Sequence, residues 1–95
     1  MITLNELIAK ETGTFYIKVR PDDSVRQFRS NFNNLAQMII DGIEPKYKDK
    51  VLGFELDKYG DYRPVFDEET QKIWDKELDD YISRKVEWCR KYGSN

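Results

Sequence analysis

The chain has 95 residues, of which 39% are hydrophobic and 36% charged, and its 16 basic and 18 acidic side chains leave a formal net charge of −2. That length suits one domain, residues 1–95, with a modest core, and an aromatic content of 14% opposes disorder. Near-neutral charge points away from bulk affinity for nucleic acid or membranes, a lone cysteine (Cys89) excludes an internal disulfide, and the lack of histidine removes the usual catalytic bases and zinc ligands.

The polar opening MITLNELIAKETG has neither a secretory nor a membrane-spanning pattern, so a soluble, cytoplasmic protein with no membrane partner is expected. Thr3 and Glu6 have capping-box spacing, and Leu4, Leu7 and Ile8 then share one face of a short helix that Gly13 closes. In TFYIKVRP, Phe15, Ile17 and Val19 alternate with Tyr16, Lys18 and Arg20, which predicts a strand stopped by Pro21. Asp22, Asp23 and Ser24 read as the cap of a second helix, with Ser24 and Gln27 at capping-box spacing. Val25, Phe28, Phe32, Leu35 and Ile39 would form its buried stripe, Gly42 its end, and Pro45 a barrier to its resumption.

VLGFELDKYGDYRPVF reads as a hairpin with a type I turn at Asp57–Gly60 and Gly60 left-handed. One register then sets Leu56 opposite Tyr62, Phe54 opposite Pro64 and Leu52 opposite Phe66 on the core side, and Glu55 opposite Arg63 on the other. Pro64 cannot donate a hydrogen bond, so its strand is expected at the sheet edge. The last helix should cover roughly 67–91. Its buried stripe would run through Ile73 or Trp74, Leu78, Ile82, Val86 or the stem of Lys85, and Cys89, flanked by Tyr81 and Trp88, with Ser94 and Asn95 frayed. The expected fold is α+β, in the order helix–strand–helix–strand–strand–helix, with a small three-stranded mixed sheet. Its first strand would run parallel to the first strand of the hairpin, and helices would pack on the sheet.

Without histidine, serine and cysteine nucleophiles lack their usual base, and the isolated glycines form no phosphate-binding loop. A non-enzymatic protein with no cofactor and no metal site is therefore expected. Residues 55–80 hold ten acidic side chains against four basic ones. Helix-dipole preference explains Asp67, Glu68 and Glu69 at the helix start, but not Asp75, Glu77, Asp79 and Asp80 in its middle. The leading expectation is a protein-interaction domain that meets a basic partner through Asp57, Tyr59, Asp61, Trp74, Asp75, Glu77, Asp79 and Asp80. A second is nucleic-acid binding through Tyr16, Lys18, Arg20, Arg26 and Arg29, where bases would stack and phosphates pair. A third is self-association through an exposed strand edge or the last helix.

Residues 4–13, LNELIAKETG, resemble the opening helix of the phage uracil-DNA glycosylase inhibitors, small acidic proteins that also begin helix, strand, helix. The resemblance spans about a tenth of the chain and implies a class, a small inhibitor or immunity-type protein of phage or bacterial setting. It carries over no functional residue, since Lys18 and Arg20 stand where that family's first strand is acidic, and this chain ends in a long helix instead of further strands.

Overall fold

The capping box at the N-terminus forms: Thr3 Oγ1 accepts from Glu6 N and Glu6 Oε1 accepts from Thr3 N, both at 3.1 Å, and helix α1 runs Leu4–Lys10. Its inward residue Leu7 is fully buried. Glu11 supplies the C-cap, so Gly13 lies beyond the helix in the bend that leads into β1, Thr14–Lys18. The computed structural model describes residues 1–92; Ser94 and Asn95, expected to fray, lie outside the described residues.

The segment after β1 departs from expectation. Asp22, Asp23 and Ser24 build a hairpin turn instead of a helix cap. Asp22 Oδ1 accepts from Ser24 N, Asp23 adopts a left-handed φ of 66°, and Val19 N donates to Ser24 O. A short polar side chain that bonds the backbone two residues on is the chemistry of an Asx turn, which competes with capping for the same atoms. Val25–Arg29 therefore returns as strand β2, antiparallel to β1 with Phe15 opposite Phe28 and Ile17 opposite Arg26. Of the expected helical stripe, Phe28, Leu35 and Ile39 are buried, but Val25 and Phe32 are exposed, because the helix α2 starts only at Leu35.

Gly42 ends α2, Leu35–Gly42, as expected. Pro45 does not stop helix formation there; it occupies the first turn of a one-turn helix α3, Pro45–Lys48, where its missing N–H costs nothing. The hairpin β3 (Gly53–Leu56) and β4 (Tyr62–Val65) has the expected register, with Leu56 opposite Tyr62, Phe54 opposite Pro64 and Glu55 opposite Arg63. Leu52 and Leu56 nevertheless remain exposed at its ends.

The sheet has four strands in the order β2–β1–β4–β3, so β4 is interior and not an edge, and β1 runs parallel to β4 instead of β3. Pro64 is tolerated for a reason visible in the ladder. Asp57 N donates to Asp61 O, which makes the odd-numbered residues the hydrogen-bonded pairs of the hairpin and turns the nitrogen of Pro64 toward β1. On that side the parallel ladder holds one residue pair, Ile17 with Tyr62. Outside β3, Ile2 adds a short bridge to Phe54 through bonds of 2.8 and 2.7 Å.

One cluster forms the core: Leu7, Phe15, Ile17, Phe28, Leu35, Ile39, Ile43, Tyr47, Phe54, Tyr62, Phe66 and Trp74 with their neighbours. It packs α1, α2, α3 and the start of α4, Glu68–Tyr92, on one face of the sheet. The opposite face, with Tyr16, Val25, Gln27 and Arg29 all exposed, carries no helix. No helix among the described residues is long and apolar enough to cross a membrane.

Candidate functional site

The hairpin tip is built by its own acidic residue. Asp57 Oδ1 accepts from Tyr59 N at 2.8 Å and Asp61 N at 3.0 Å, and Gly60 takes the left-handed φ of 87°. Asp57 and the half-buried Asp61 thus act as turn chemistry, while Tyr59 is 75% exposed with the Lys58 ammonium 5.1 Å from its ring centroid.

The tip does not join the acidic residues of α4. It lies where β4 begins, whereas α4 leaves from the other end of β4 and passes α3 and the loop after β1. Residues Asp57, Tyr59 and Asp61 therefore form one surface and Asp75–Asp80 another. Trp74 belongs to neither. It is 1% exposed, with ring centroids 5.0 Å from Tyr47 and 5.1 Å from Phe66, and is a core residue that cannot touch a partner. A Trp in the first two turns of an amphipathic helix meets the core first, and its area rewards that burial.

The α4 carboxylates differ among themselves. Asp67 caps the helix by accepting from Thr70 N at 2.8 Å, and the Thr70 side chain first, then this amide, hold its carboxyl below the ordinary value. Asp75 accepts from Gln71 Nε2 one turn back, and Asp80 pairs with Lys76 at 3.1 Å. Glu77 bonds Lys46 and so clamps α3 to α4; this hydrogen bond lowers the Glu77 pKa and raises that of Lys46. Asp75, Asp79 and Asp80 stay exposed, while Glu77 is occupied by the fold.

A cleft of about 290 Å³ opens beside them, lined by Arg20, Asp22, Glu44, Glu77, Asp80 and Arg84 among others. Two guanidiniums sit among four carboxylates there, so the lining mixes both signs with an acidic excess. Among the described residues no three His, Cys, Asp or Glu side chains gather as a possible metal site.

The basic residues divide as well. Tyr16, Lys18 and Arg29 share the open face of the sheet, with Lys18 bound to Asp23 at 2.8 Å. Arg26 lies opposite Ile17 on the helix-bearing face, its guanidinium carbon 5.7 Å from the Phe28 centroid, and Arg20 lies at the cleft. The expected five-residue patch is therefore three residues on one face. Arg63, which pairs with Glu55 at 3.9 Å across the hairpin, joins that face.

The largest departure is in the last helix. Only Thr70 and Trp74 are buried, Leu78 and Tyr81 are half-buried, and every residue from Ile82 to Tyr92 is exposed. The stripe expected in the core thus runs off the body: Ile82 and Val86 are near half exposed, Trp88 is 60% exposed, and Cys89 is free at the surface. Trp88 and Tyr92 stack on one another, centroids 5.7 Å apart. At 1.5 Å per residue this overhang is about 16 Å long. The sequence pattern marked these residues as apolar-periodic; what it left out was how little body lies beneath them.

The chain matches no protein-family model, no curated protein and no solved structure.

Proposed function

We propose that the chain is a non-enzymatic protein-interaction domain that meets its partner through α4, using the exposed acids Asp75, Asp79 and Asp80 and the overhang that follows them. The observation that carries this reading is the overhang itself, a helix segment whose apolar residues Ile82, Val86 and Trp88 are exposed and covered by nothing else among the described residues. Exposed apolar surface rimmed by charge is the usual mark of a contact site. In that role the domain would occupy a basic site on its partner, as an inhibitor or immunity-type protein does, and the likeness of residues 4–13 to phage inhibitors points to the same class. The test places a photo-crosslinking side chain at Val86, Tyr59 or Gln27 in otherwise native protein. Discrete adducts from position 86, lost on reversing Asp75, Asp79 and Asp80, are expected. Adducts only from the hairpin tip or the sheet face would overturn the reading.

A second reading, nucleic-acid binding on the open sheet face, is favoured by one observation: Tyr16, Lys18 and Arg29 share that face with no helix over it. It expects single-stranded oligonucleotide affinity that falls steeply with salt and is lost in Tyr16→Ala and Arg29→Ala. Salt-independent or absent binding removes it.

A further inference from the structure

We propose that the partner of the α4 overhang is the same segment of a second copy, packed antiparallel about a two-fold axis near Arg84. This rests on the reading of α4 as the contact element and names what it contacts.

The charge order along one helix face carries the inference. At about 100° per residue, Asp75, Asp79, Ile82, Val86, Cys89 and Arg90 fall within one sector of roughly a quarter to a third of the circumference. All six are exposed, and the buried residues Thr70 and Trp74 point elsewhere around the helix, so this sector is open to solvent among the described residues. Read from the N-terminal side the face is acidic, then apolar, then basic.

A surface with acid at one end and base at the other is self-complementary only when reversed. Antiparallel pairing centred near residue 84 sets Ile82 opposite Val86 of the second copy and Asp79 opposite Cys89 and Arg90 of the second copy. A parallel pair would instead set Asp79 against Asp79 and Arg90 against Arg90, which like-charge repulsion disfavours. Because the same patch serves on both copies, the contact closes on itself and yields a dimer instead of a filament. The basic surface sought by the acidic half of α4 is then the C-terminal half of α4 itself.

The experiment is sedimentation equilibrium of the full chain from micromolar to millimolar concentration, with Asp79→Arg and Arg90→Asp measured separately and as an equimolar mixture. Wild type is expected to dimerise, and each variant alone to self-associate about tenfold more weakly or worse, since like charges then face each other twice. The mixture should recover wild-type association, because arginine at position 79 of one copy again meets aspartate at position 90 of the other. Both positions are exposed, so folding should be unaffected, and the recovery in the mixture excludes misfolding as the cause. A monomeric wild type, a variant that dimerises as wild type does, or a mixture without recovery overturns the pairing. So does a Cys89–Cys89 disulfide under mild oxidation, which signals the parallel arrangement. If wild type is monomeric while the crosslinker at Val86 still captures a different protein, the self-pairing fails and the docking role of α4 stands; if it captures nothing, both fail.

Discussion

At the scale of single residues, two tyrosines in one core meet opposite fates. The Tyr62 hydroxyl donates to Glu11 Oε2 at 2.8 Å, while the buried Tyr47 hydroxyl has no hydrogen-bond partner among the described residues. An unsatisfied buried hydroxyl carries its desolvation cost uncompensated. Tyr47→Phe should therefore hold or raise stability, by up to about 1 kcal/mol, whereas Tyr62→Phe should lower it by about 1 kcal/mol. Urea denaturation of the two variants checks the opposite signs. The same residues set the alkaline limit of the fold. Burial first, then the Glu11 carboxylate, push Tyr62 up to about 12 from an ordinary value of 10, and burial with the neighbouring Glu77 raises Tyr47 as well. Both groups stay protonated in the folded state after the unfolded chain has begun to ionise. Their stabilisation is whole below pH 10 and is lost as pH climbs through the folded values. Stability should fall above pH 10, less steeply in Tyr62→Phe, as read from denaturation midpoints across that range. The carboxylates of Glu6, Asp67 and Glu77 are shifted the other way by the bonds they accept, so their contribution is present at neutral pH and is lost as acid protonates them below the ordinary carboxylate range.

At the scale of elements, the outer edge of β3 depends on a missing side chain. A Cβ on Gly53 would stand 2.7 Å from the Ile2 carbonyl oxygen and 2.6 Å from Met1 Cγ. The backbone contact cannot yield as a flexible side chain can, so Gly53→Ala should cost about 1–3 kcal/mol by forcing the N-terminal bridge open. Faster amide exchange at Phe54, whose N–H bonds Ile2 O, would accompany the loss; a stable variant with Phe54 still protected would show that the bridge accommodates the methyl group. The hairpin of β3 and β4 was legible in the sequence because its pairs, its turn glycine and its cross-strand charges all agree on one register. β2 was not, because VRQFR presents one inward aromatic and an arginine that spans the helix-bearing face, so period two is nearly silent while Phe28, Leu35 and Ile39 happen to keep helical spacing. The interior place of β4 was hidden for another reason: Pro64 forbids one hydrogen bond, not a neighbour, and the parallel ladder to β1 is short enough to do without it. The candidate surface was half legible. The acids of α4 stand where the sequence set them, but Trp74 and the hairpin tip could not be separated from them without knowing which end of β4 the helix leaves.

At the scale of the whole molecule, a mismatch of lengths decides how α4 behaves. Strands of 4 or 5 residues span about 13–17 Å, whereas the 25 residues of α4 span about 38 Å, so its second half must overrun the layer it packs on. That arithmetic was available from the sequence, and it turns an apolar stripe expected in the core into an exposed one. A helix of this length without tertiary contact is marginal in water, since most helical stability in proteins comes from packing of an amphipathic face. The body and the overhang should therefore respond independently. Truncation after Ser83 removes no residue of the core cluster and should change the unfolding free energy of the body by about 0.5 kcal/mol or less. In the full chain, amide protection from Val86 to Arg90 should be weak in dilute solution and rise with protein concentration, because the second copy supplies the face that the body lacks. The ion pairs proposed between copies lie at the surface, where salt screens them, so that protection should also fall at high ionic strength. Hydrogen exchange across a concentration series, repeated in high salt, separates the possibilities. Protection independent of concentration would mean that the overhang is held within one chain, by propensity or by a contact the fold does not contain, and the paired helix would then be unnecessary.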